Sequence, residues 1–310
     1  MIIDFHSHLQ NQAVKRAGAG APPPLMVDIP SLLENQEAAG ISASVITHSL
    51  FGITESLSGL ELLDTIKSVN GFNAELGQKY PERLFPFATA IPLADGGFLK
   101  ETERAIRQYG MRGIGVPSSV RGEYLDSERA YPFYEMVCEL GVPIFVHPPM
   151  VPVGADKMDK YRLMETLGRP FDTTLTISRM VFSGVFEKFP KLKAVFAHLG
   201  GCITLLPGRL ERSYQLRDLP HYGPWGGDAL AKAPSEYLKQ IYVDSMCFWP
   251  PALRCAIDLV GADHVLLGSD TPPLEWPLIQ SVRMIEDLEI SQEEKAQILG
   301  GNAQVLLGLA

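Results

Sequence analysis

Short apolar runs recur along this chain and alternate with segments in which apolar residues repeat at helical spacing. Such runs, bounded by glycine or proline, are typical of parallel strands that are covered on both faces. We predict eight strands, at residues 1–8, 43–47, 84–90, 113–116, 142–147, 194–198, 240–244 and 265–270. We predict helices at 30–39, 60–79, 99–108, 127–140, 205–216, 251–260, 274–287 and 291–307, with Asn302 as a cap in the last. This alternation predicts an α/β fold.

Eight strands that alternate with helices predict a (β/α)8 TIM barrel. The chain has 310 residues, of which 46% are hydrophobic and 20% are charged, so it can bury a large core. Barrels of this type often exceed roughly 250 residues as one domain. Because no repeat or linker interrupts the sequence, we expect a single domain over residues 1–310. Active sites of such barrels lie at the carboxyl ends of the strands.

The first predicted strand leads into the segment Asp4-Phe5-His6-Ser7-His8. Residues i and i+2 of a strand point to the same face, so His6 and His8 can direct two imidazoles at one point. Two imidazoles make half of a zinc-type site, which needs one or two further ligands. A His-x-His pair also occurs on ordinary surface strands, so this segment alone does not establish a metal site. Further ligands must come from the rest of the chain.

Three later strands also end in a polar residue, namely His147, His198 and Asp270. A single histidine at a strand end is more often a hydrogen-bonded core residue than a metal ligand. Four histidines and one aspartate at the same end of one barrel are difficult to explain as independent events. We therefore predict a metal site at this end, and the pattern alone leaves open which of the five side chains bind the ion.

Charge and cysteine content argue against other classes of protein. The net charge is −9 and the pI is about 5.3, and no cluster of Lys and Arg interleaves with aromatic residues, so we expect no nucleic-acid partner. The four cysteines form no Cys-x-x-Cys pair, which favours free thiols in a reducing compartment. No secretory pattern opens the chain, and no apolar stretch approaches roughly 18 residues, so we expect a cytoplasmic protein without a membrane partner.

Two long loops directly follow metal-ligand candidates. The first lies between His8 and Asp28 and is rich in Gly, Ala and Pro, and the second runs from Pro148 to Pro170. Loops of this length in a compact domain are usually lids or binding loops. We expect both to border the site.

Three segments resemble the amidohydrolase superfamily. They are the opening Asp-x-His-x-His, the segment 184–201 from Gly-Val-Phe-Glu-Lys-Phe-Pro through Phe-Ala-His-Leu-Gly-Gly, and Gly-Ser-Asp-Thr-Pro at 268–272. More narrowly, the chain resembles the branch that contains aminocarboxymuconate-semialdehyde decarboxylase and other non-oxidative decarboxylases. The resemblance covers nearly the whole chain, and segment 184–201 with the downstream Gly208-Arg209 is its most specific part.

The resemblance implies one divalent ion per chain, usually Zn²⁺ with Mn²⁺ as the alternative. It implies that the ligands are His6, His8, His147 and Asp270. It also implies that His198 is catalytic rather than a ligand, and Asp270 can assist by accepting a hydrogen bond from a water on the ion. Binuclear relatives use a carboxylated lysine on a middle strand, and because strand 113–116 has no lysine, we expect a mononuclear site.

The resemblance further implies that Arg209 binds a substrate carboxylate at the neighbouring subunit's site. We therefore expect a homodimer in which Arg209 acts at the partner's site or at the rim of its own site. The alternative is a plain surface arginine on a helix. Phe248 and Trp249, past the seventh strand, and Trp276, past the eighth, are placed to wall a pocket for a planar substrate. The family's second carboxylate-binding arginine has no clear match, because the first loop offers only Arg16, which argues against a dicarboxylate substrate. His48, His221 and His264 are expected to be structural or surface residues. If one of them has a role in the site, we expect it to be His48, which lies at the end of the second strand.

Two reactions fit these residues. The first is decarboxylation of a small aromatic or enolic carboxylic acid by a mononuclear metal-dependent carboxy-lyase. The alternative is hydrolysis of an amide, lactone or vinylogous ketone by the same kind of site, because a bound divalent ion can activate a water as well as polarise a carbonyl. A barrel with only a binding role is disfavoured, since the ligand set is complete. The binding partner that we expect is therefore a small-molecule carboxylic acid, as substrate.

Overall fold

Eight short strands, all paired in parallel, form the inner wall of the molecule. The computed structural model describes residues 1–11, 23–47, 53–219, 221, 223–273 and 276–309. The strands in chain order are Ile3–His8, Ala43–Thr47, Leu84–Pro86 continued by Ala88–Thr89, Ile114–Pro117, Ile144–His147, Ala194–Phe196, Tyr242–Asp244 and Val265–Leu266. We number them one to eight in this order. A small antiparallel hairpin, Ser119–Val120 with Glu123–Tyr124, follows the fourth strand.

Backbone hydrogen bonds close this wall into a barrel. The two parts of the third strand are separated by Phe87, whose N–H donates to the carbonyl of Ile46 on the second strand at 2.8 Å. The eighth strand returns to the first, because the Phe5 N–H donates to the Leu267 carbonyl at 2.7 Å. Every strand therefore has two neighbours, and the predicted (β/α)8 barrel is confirmed.

Helices cover the outside of the barrel. They span Ile29–Ala38, Ile53–Ser56, Gly59–Lys79, Gly96–Tyr109, Tyr131–Leu140, Arg169–Phe182, Val185–Lys188, Pro207–Gln215, Pro234–Leu238, Pro250–Val260, Leu278–Glu286, Gln292–Ala296 and Asn302–Leu306. Among the described residues, none of these helices combines the length and the apolar content needed to cross a bilayer. Most apolar helix faces join one buried cluster between the strands and the helix layer.

Three phenylalanines from different strands fill the barrel beneath the site. The ring of Phe5 lies 5.6 Å from that of Phe87 and 6.2 Å from that of Phe145, measured between centroids. The His6 ring also contacts Phe145, at 4.9 Å. Consecutive residues of a regular strand point to opposite faces, but the pairing of the first strand shifts register between Asp4 and Ser7. This irregularity lets both Phe5 and His6 face the interior.

The structure corrects three predictions at the end of the chain. The eighth strand pairs only over Val265–Leu266 and not to residue 270. Asn302 is not a cap: its own backbone is helical, and its side-chain NH₂ donates to the carbonyls of Ala262 and Val265 at 2.8 and 2.7 Å. It thereby joins the closing helix to the start of the eighth strand. The helix predicted from 274 begins at Leu278, and residues 274 and 275 lie outside the described part of the chain.

Candidate metal centre

Four side chains from three strand ends meet at the carboxyl end of the barrel. The ligand atoms of His6, His8, His147 and Asp270 all lie within 4.8 Å of one another. The two Nε2 atoms of His6 and His8 are 3.1 Å apart, and the Asp270 Oδ1 atom lies 3.4 Å from the first and 3.0 Å from the second. Parallel strands bring their carboxyl ends to one rim, which is why residues more than a hundred positions apart in sequence converge here.

The donor set fits a divalent metal ion. The Nδ1 atom of His147 is hydrogen-bonded to the Pro148 carbonyl at 2.9 Å, but its Nε2 atom is buried and has no hydrogen-bond partner among the described residues. A buried polar atom left unpaired costs about 1–3 kcal/mol, which a bound ion would offset. Three imidazoles and one carboxylate are a common ligand set for Zn²⁺ and similar ions. The residues present can therefore hold one such ion.

Residues behind the ligands fix the orientation of their rings. The His6 Nδ1 atom lies 2.6 Å from Oδ2 of Asp244, and the His8 Nδ1 atom lies 2.9 Å from the hydroxyl of Thr47. Each contact leaves Nε2 facing the common centre, as outer hydrogen-bond partners do in metal sites. Sequence reasoning missed Asp244, although it carries the same signal as the predicted ligands, a polar residue at the carboxyl end of an apolar strand.

A second carboxylate, Asp4, braces the first strand against the eighth. It is fully buried, and it accepts hydrogen bonds from the His6 N–H and the Ser269 N–H, both at 3.1 Å, and from the hydroxyls of Ser7 and Ser269. Burial raises the pKa of Asp4, against the effect of these hydrogen bonds. The residues that precede His6 and Asp270 are thus held together. Gly268 fits this close packing, since a Cβ atom there would lie 2.7 Å from Cβ of Asp244.

Burial and charge set different protonation states for the metal-free ligands. Burial lowers the pKa of His8, and it lowers that of His147 further, with help from the neighbouring imidazoles. Burial also disfavours a charged His6, but the carboxylates of Asp270 and Asp244 outweigh it and raise the pKa of His6 to about 10. Burial would raise the pKa of Asp270, yet the charge of His6 and hydrogen bonds from His198, His6 and His8 hold it well below its usual range. Asp270 is therefore an ionised carboxylate.

His198 lies beside the cluster and contacts its carboxylate. Its Nε2 atom is 3.3 Å from Oδ2 of Asp270, while its Nδ1 atom is buried without a hydrogen-bond partner in the described structure. His198 and Leu199 both have a φ of 57°, in the left-handed region that costs non-glycine residues about 1–3 kcal/mol each. The Leu199 N–H donates to Oδ1 of Asp244 at 3.3 Å, which helps to hold this turn.

The glycine after this turn permits the close approach of a helix. A Cβ atom on Gly201 would lie 2.1 Å from the carbonyl oxygen of Pro170, so any other residue would displace the helix Arg169–Phe182. The chain that follows His198 is therefore packed directly against the segment that ends the loop after the fifth strand.

The structure places the predicted substrate-binding residues at separate positions. The rings of Phe248 and Trp276 contact each other at 4.8 Å between centroids, whereas Trp249 is 65% exposed. Arg209 is exposed on the helix Pro207–Gln215 and, with Arg212 and Arg217, lines a groove of about 420 Å³ to which no metal-cluster residue contributes. His264 stacks on Tyr242 and lies outside the cluster, whereas Arg16 and His48 lie outside the described residues.

Comparison with known proteins agrees with this geometry. The chain is 33% identical over 256 residues to 2-amino-3-carboxymuconate-6-semialdehyde decarboxylase of Dictyostelium discoideum, a match that covers 80% of this chain and 68% of that protein. Its fold is similar to that of 5-carboxyvanillate decarboxylase from Sphingomonas paucimobilis, with a TM-score of 0.88, 21% identity, and 99% and 98% of the two chains covered. It is also similar to a manganese-bound dihydroxybenzoic acid decarboxylase from Polaromonas, with a TM-score of 0.83, 24% identity, and 99% and 97% covered.

At these identities the two structural matches bear on the fold alone. The family assignment comes from sequence, because the amidohydrolase family model matches residues 3–309. The match includes every strand of the barrel, the four residues of the metal cluster and His198. The chain belongs to the amidohydrolase family.

Proposed function

We propose that this protein is a mononuclear metal-dependent decarboxylase that removes CO₂ from a small aromatic or enolic carboxylic acid without oxidising it. The observation that carries the proposal is the contact between His198 Nε2 and Asp270 Oδ2 beside the four-donor cluster. It places a proton-transfer group next to a metal site. The name of the relative from Dictyostelium discoideum supports the same reaction, since that protein is a decarboxylase.

His6, His8, His147 and Asp270 would hold one divalent ion. Such an ion, when bound, supplies a positive charge that polarises a carbonyl or phenolate oxygen of the substrate. We propose Zn²⁺ first, because three imidazole donors suit it. The Polaromonas relative contains manganese, so Mn²⁺ is the alternative to test.

His198 is the proposed proton donor. Loss of CO₂ breaks a C–C bond and leaves its electron pair on carbon, so the same carbon must receive a proton. Because Asp270 is a proposed ligand of the ion, it is a carboxylate there and a hydrogen-bond acceptor rather than a proton donor. The imidazole of His198 can carry the proton, and Asp270 fixes its orientation through the Nε2 atom.

The substrate side is proposed from the aromatic and cationic residues. The Phe248–Trp276 pair offers an apolar wall for a planar ring, with Trp249 beside it in sequence. Among the described residues no carboxylate pairs with Arg209, so its guanidinium can bind a substrate carboxylate. We propose that it does so in a homodimer. We propose a cytoplasmic location, because the four cysteines are free thiols and a reducing environment keeps them so. We also propose that residues 1–310 form a single domain.

The test measures the metal content of the protein and the products that it releases. Protein purified without chelator is analysed for metal, and then supplied with hydroxybenzoates, carboxymuconates, lactones and amides in D₂O. We expect one equivalent of CO₂ per substrate consumed and one deuterium at the carbon that lost the carboxylate. Acid release from a lactone or amide without CO₂ would instead establish the hydrolase alternative.

A further inference from the structure

A buried carboxylate outside the metal centre, Asp172, has no part in the reaction above. It lies in the first turn of the helix Arg169–Phe182, and only 1% of its surface is exposed. In the part of the chain that the structure describes, no lysine, arginine or histidine pairs with it. Buried carboxylates need strong hydrogen bonding to be tolerated. The groups that donate to Asp172 therefore indicate what it holds in place.

Four uncharged donors surround the Asp172 carboxylate. Its Oδ1 atom accepts hydrogen bonds from the hydroxyls of Ser118 and Ser119, at 2.6 and 3.1 Å. Its Oδ2 atom accepts from the hydroxyl of Tyr124 at 3.1 Å and from the N–H of Val153 at 2.9 Å. Burial and the charge of Asp172 raise the pKa of Tyr124, so the phenol remains a donor. The donors come from the segment after the fourth strand and from the loop after the fifth.

Both of these segments are connected to the metal ligand His147. The N–H of Ser118 donates to the His147 carbonyl at 2.9 Å, and the hydroxyl of Thr176 donates to the Ser118 carbonyl at 3.0 Å. Val153 lies in the loop that leaves His147, and within the described part of the chain Asp172 is the only side chain that accepts a hydrogen bond from its N–H. One carboxylate thus joins the helix, the end of the fifth strand and the start of its loop.

We propose that Asp172 is a positioning residue that fixes the loop after the fifth strand against the strand end that carries His147. Its effect on catalysis rests on the proposed decarboxylase function, whereas its effect on the loop does not. The role needs hydrogen-bond acceptors more than charge. In Asp172→Asn the amide oxygen can face Val153 and Tyr124 while the NH₂ donates to the serine hydroxyls, which can also accept. Asp172→Ala loses every acceptor.

The Val153 contact can be removed separately. The Ala155 N–H donates to the Pro152 carbonyl at 3.2 Å, and Gly154 has φ 75° and ψ 12°, so Val153 is the first central residue of a turn of type II geometry. Proline is common at that position, and the Val153 side chain is exposed. Val153→Pro therefore removes the donor with little other change, and Val153→Ala is its matched control.

The experiment measures trypsin cleavage of the metal-loaded protein at Lys157, Lys160 and Arg162, which are exposed in this loop. We expect cleavage to rise about tenfold in Asp172→Ala and Val153→Pro, the scale expected for loss of a buried hydrogen bond. Asp172→Asn and Val153→Ala should stay within about twofold of the native rate. If Asp172→Ala does not fold, the Val153 pair decides alone.

A second buried carboxylate separates positioning from general stability. Glu101 lies on the helix Gly96–Tyr109, away from this loop. It accepts a hydrogen bond from the side-chain NH₂ of Asn70 and forms an ion pair with Arg104. Glu101→Ala should lower the melting temperature but leave loop cleavage unchanged. Unchanged cleavage in both Asp172→Ala and Val153→Pro, or an equal rise in Glu101→Ala, overturns the proposal. Loop release without any decarboxylation in the native protein would count against the proposed function only.

Discussion

His6 and Asp244 form a short buried contact in which the histidine Nδ1 atom lies 2.6 Å from the aspartate Oδ2 atom. The same carboxylate accepts hydrogen bonds from the N–H groups of Leu199 and Met246 through Oδ1. Asp244 thus links the ring of a metal ligand to the turn that carries His198. A partner of this kind both orients the imidazole and makes it a stronger ligand.

Replacement of Asp244 by alanine should weaken metal binding by about 10–100-fold, because His6 loses its orienting acceptor. The dissociation constant is measured by competition with a chromophoric chelator. Asp258→Ala, which removes an exposed carboxylate paired with Arg254, is the control and should bind metal as the native protein does. Equal affinity in Asp244→Ala and Asp258→Ala, with both folded by circular dichroism, would remove Asp244 from the site.

The double change His6→Ala and His8→Ala should abolish both metal content and activity. Two of the four donors are lost, and the remaining histidine and carboxylate come from different strands. Elemental analysis and CO₂ release provide the two measurements. His264→Ala, a histidine that stacks on Tyr242 outside the cluster, should retain both. Retention of metal or of activity in the double variant would refute the assignment, as would two ions per chain in the native protein.

His198→Ala should keep its metal and lose most of its rate. The imidazole contacts Asp270 but is not among the four clustered donors, so the ion does not depend on it. We expect metal content near one equivalent and a kcat lower by about 10²–10⁴, the usual cost of losing a general acid or base. His147→Ala, by contrast, should lose the ion. A His198→Ala variant with full metal and the native kcat shows that the histidine has no catalytic role.

Much of this site could be predicted from sequence, because strand ends in a parallel barrel converge on one rim. The strand at 43–47 and the ends of the strands that carry His8 and His147 agree with the structure to the residue. The register shift in the first strand could not be predicted, because strand alternation places adjacent residues on opposite faces and gives no sign that Phe5 and His6 both contact Phe145. The same holds for Asp172, an aspartate in the first turn of its helix whose four donors lie in distant segments.

The protonation of metal-free His6 gives a calorimetric prediction. Its pKa is about 10 in the folded state and near 6.5 when unfolded, so a protonated His6 stabilises the metal-free fold below about pH 6.5 and this contribution is lost as the pH rises through about 10. Metal binding at pH 8 must displace this proton. Titrations in buffers of different ionisation enthalpy should show at least about one proton released per ion, against about 0.1 in total for three histidines of ordinary pKa. Asp244→Asn should reduce the number released, and equal release in both proteins would contradict the coupling.

Arg209 gives a prediction that joins assembly to catalysis. It is exposed beside Arg212 and Arg217 on an otherwise acidic chain of net charge −9. If its guanidinium binds a substrate carboxylate in the partner's site, the contact is similar in the ground and transition states, so Arg209→Ala should raise KM more than it lowers kcat. Metal content should not change, and Arg212→Ala on the same helix should have native kinetics.

The native protein should sediment as a dimer. Mixing Arg209→Ala with the inactive His198→Ala should restore activity, because a mixed dimer contains one site with an intact His198 from one chain and an intact Arg209 from the other. A fully active monomer, or an unchanged kcat/KM in Arg209→Ala on a carboxylate substrate, would leave Arg209 as a surface residue.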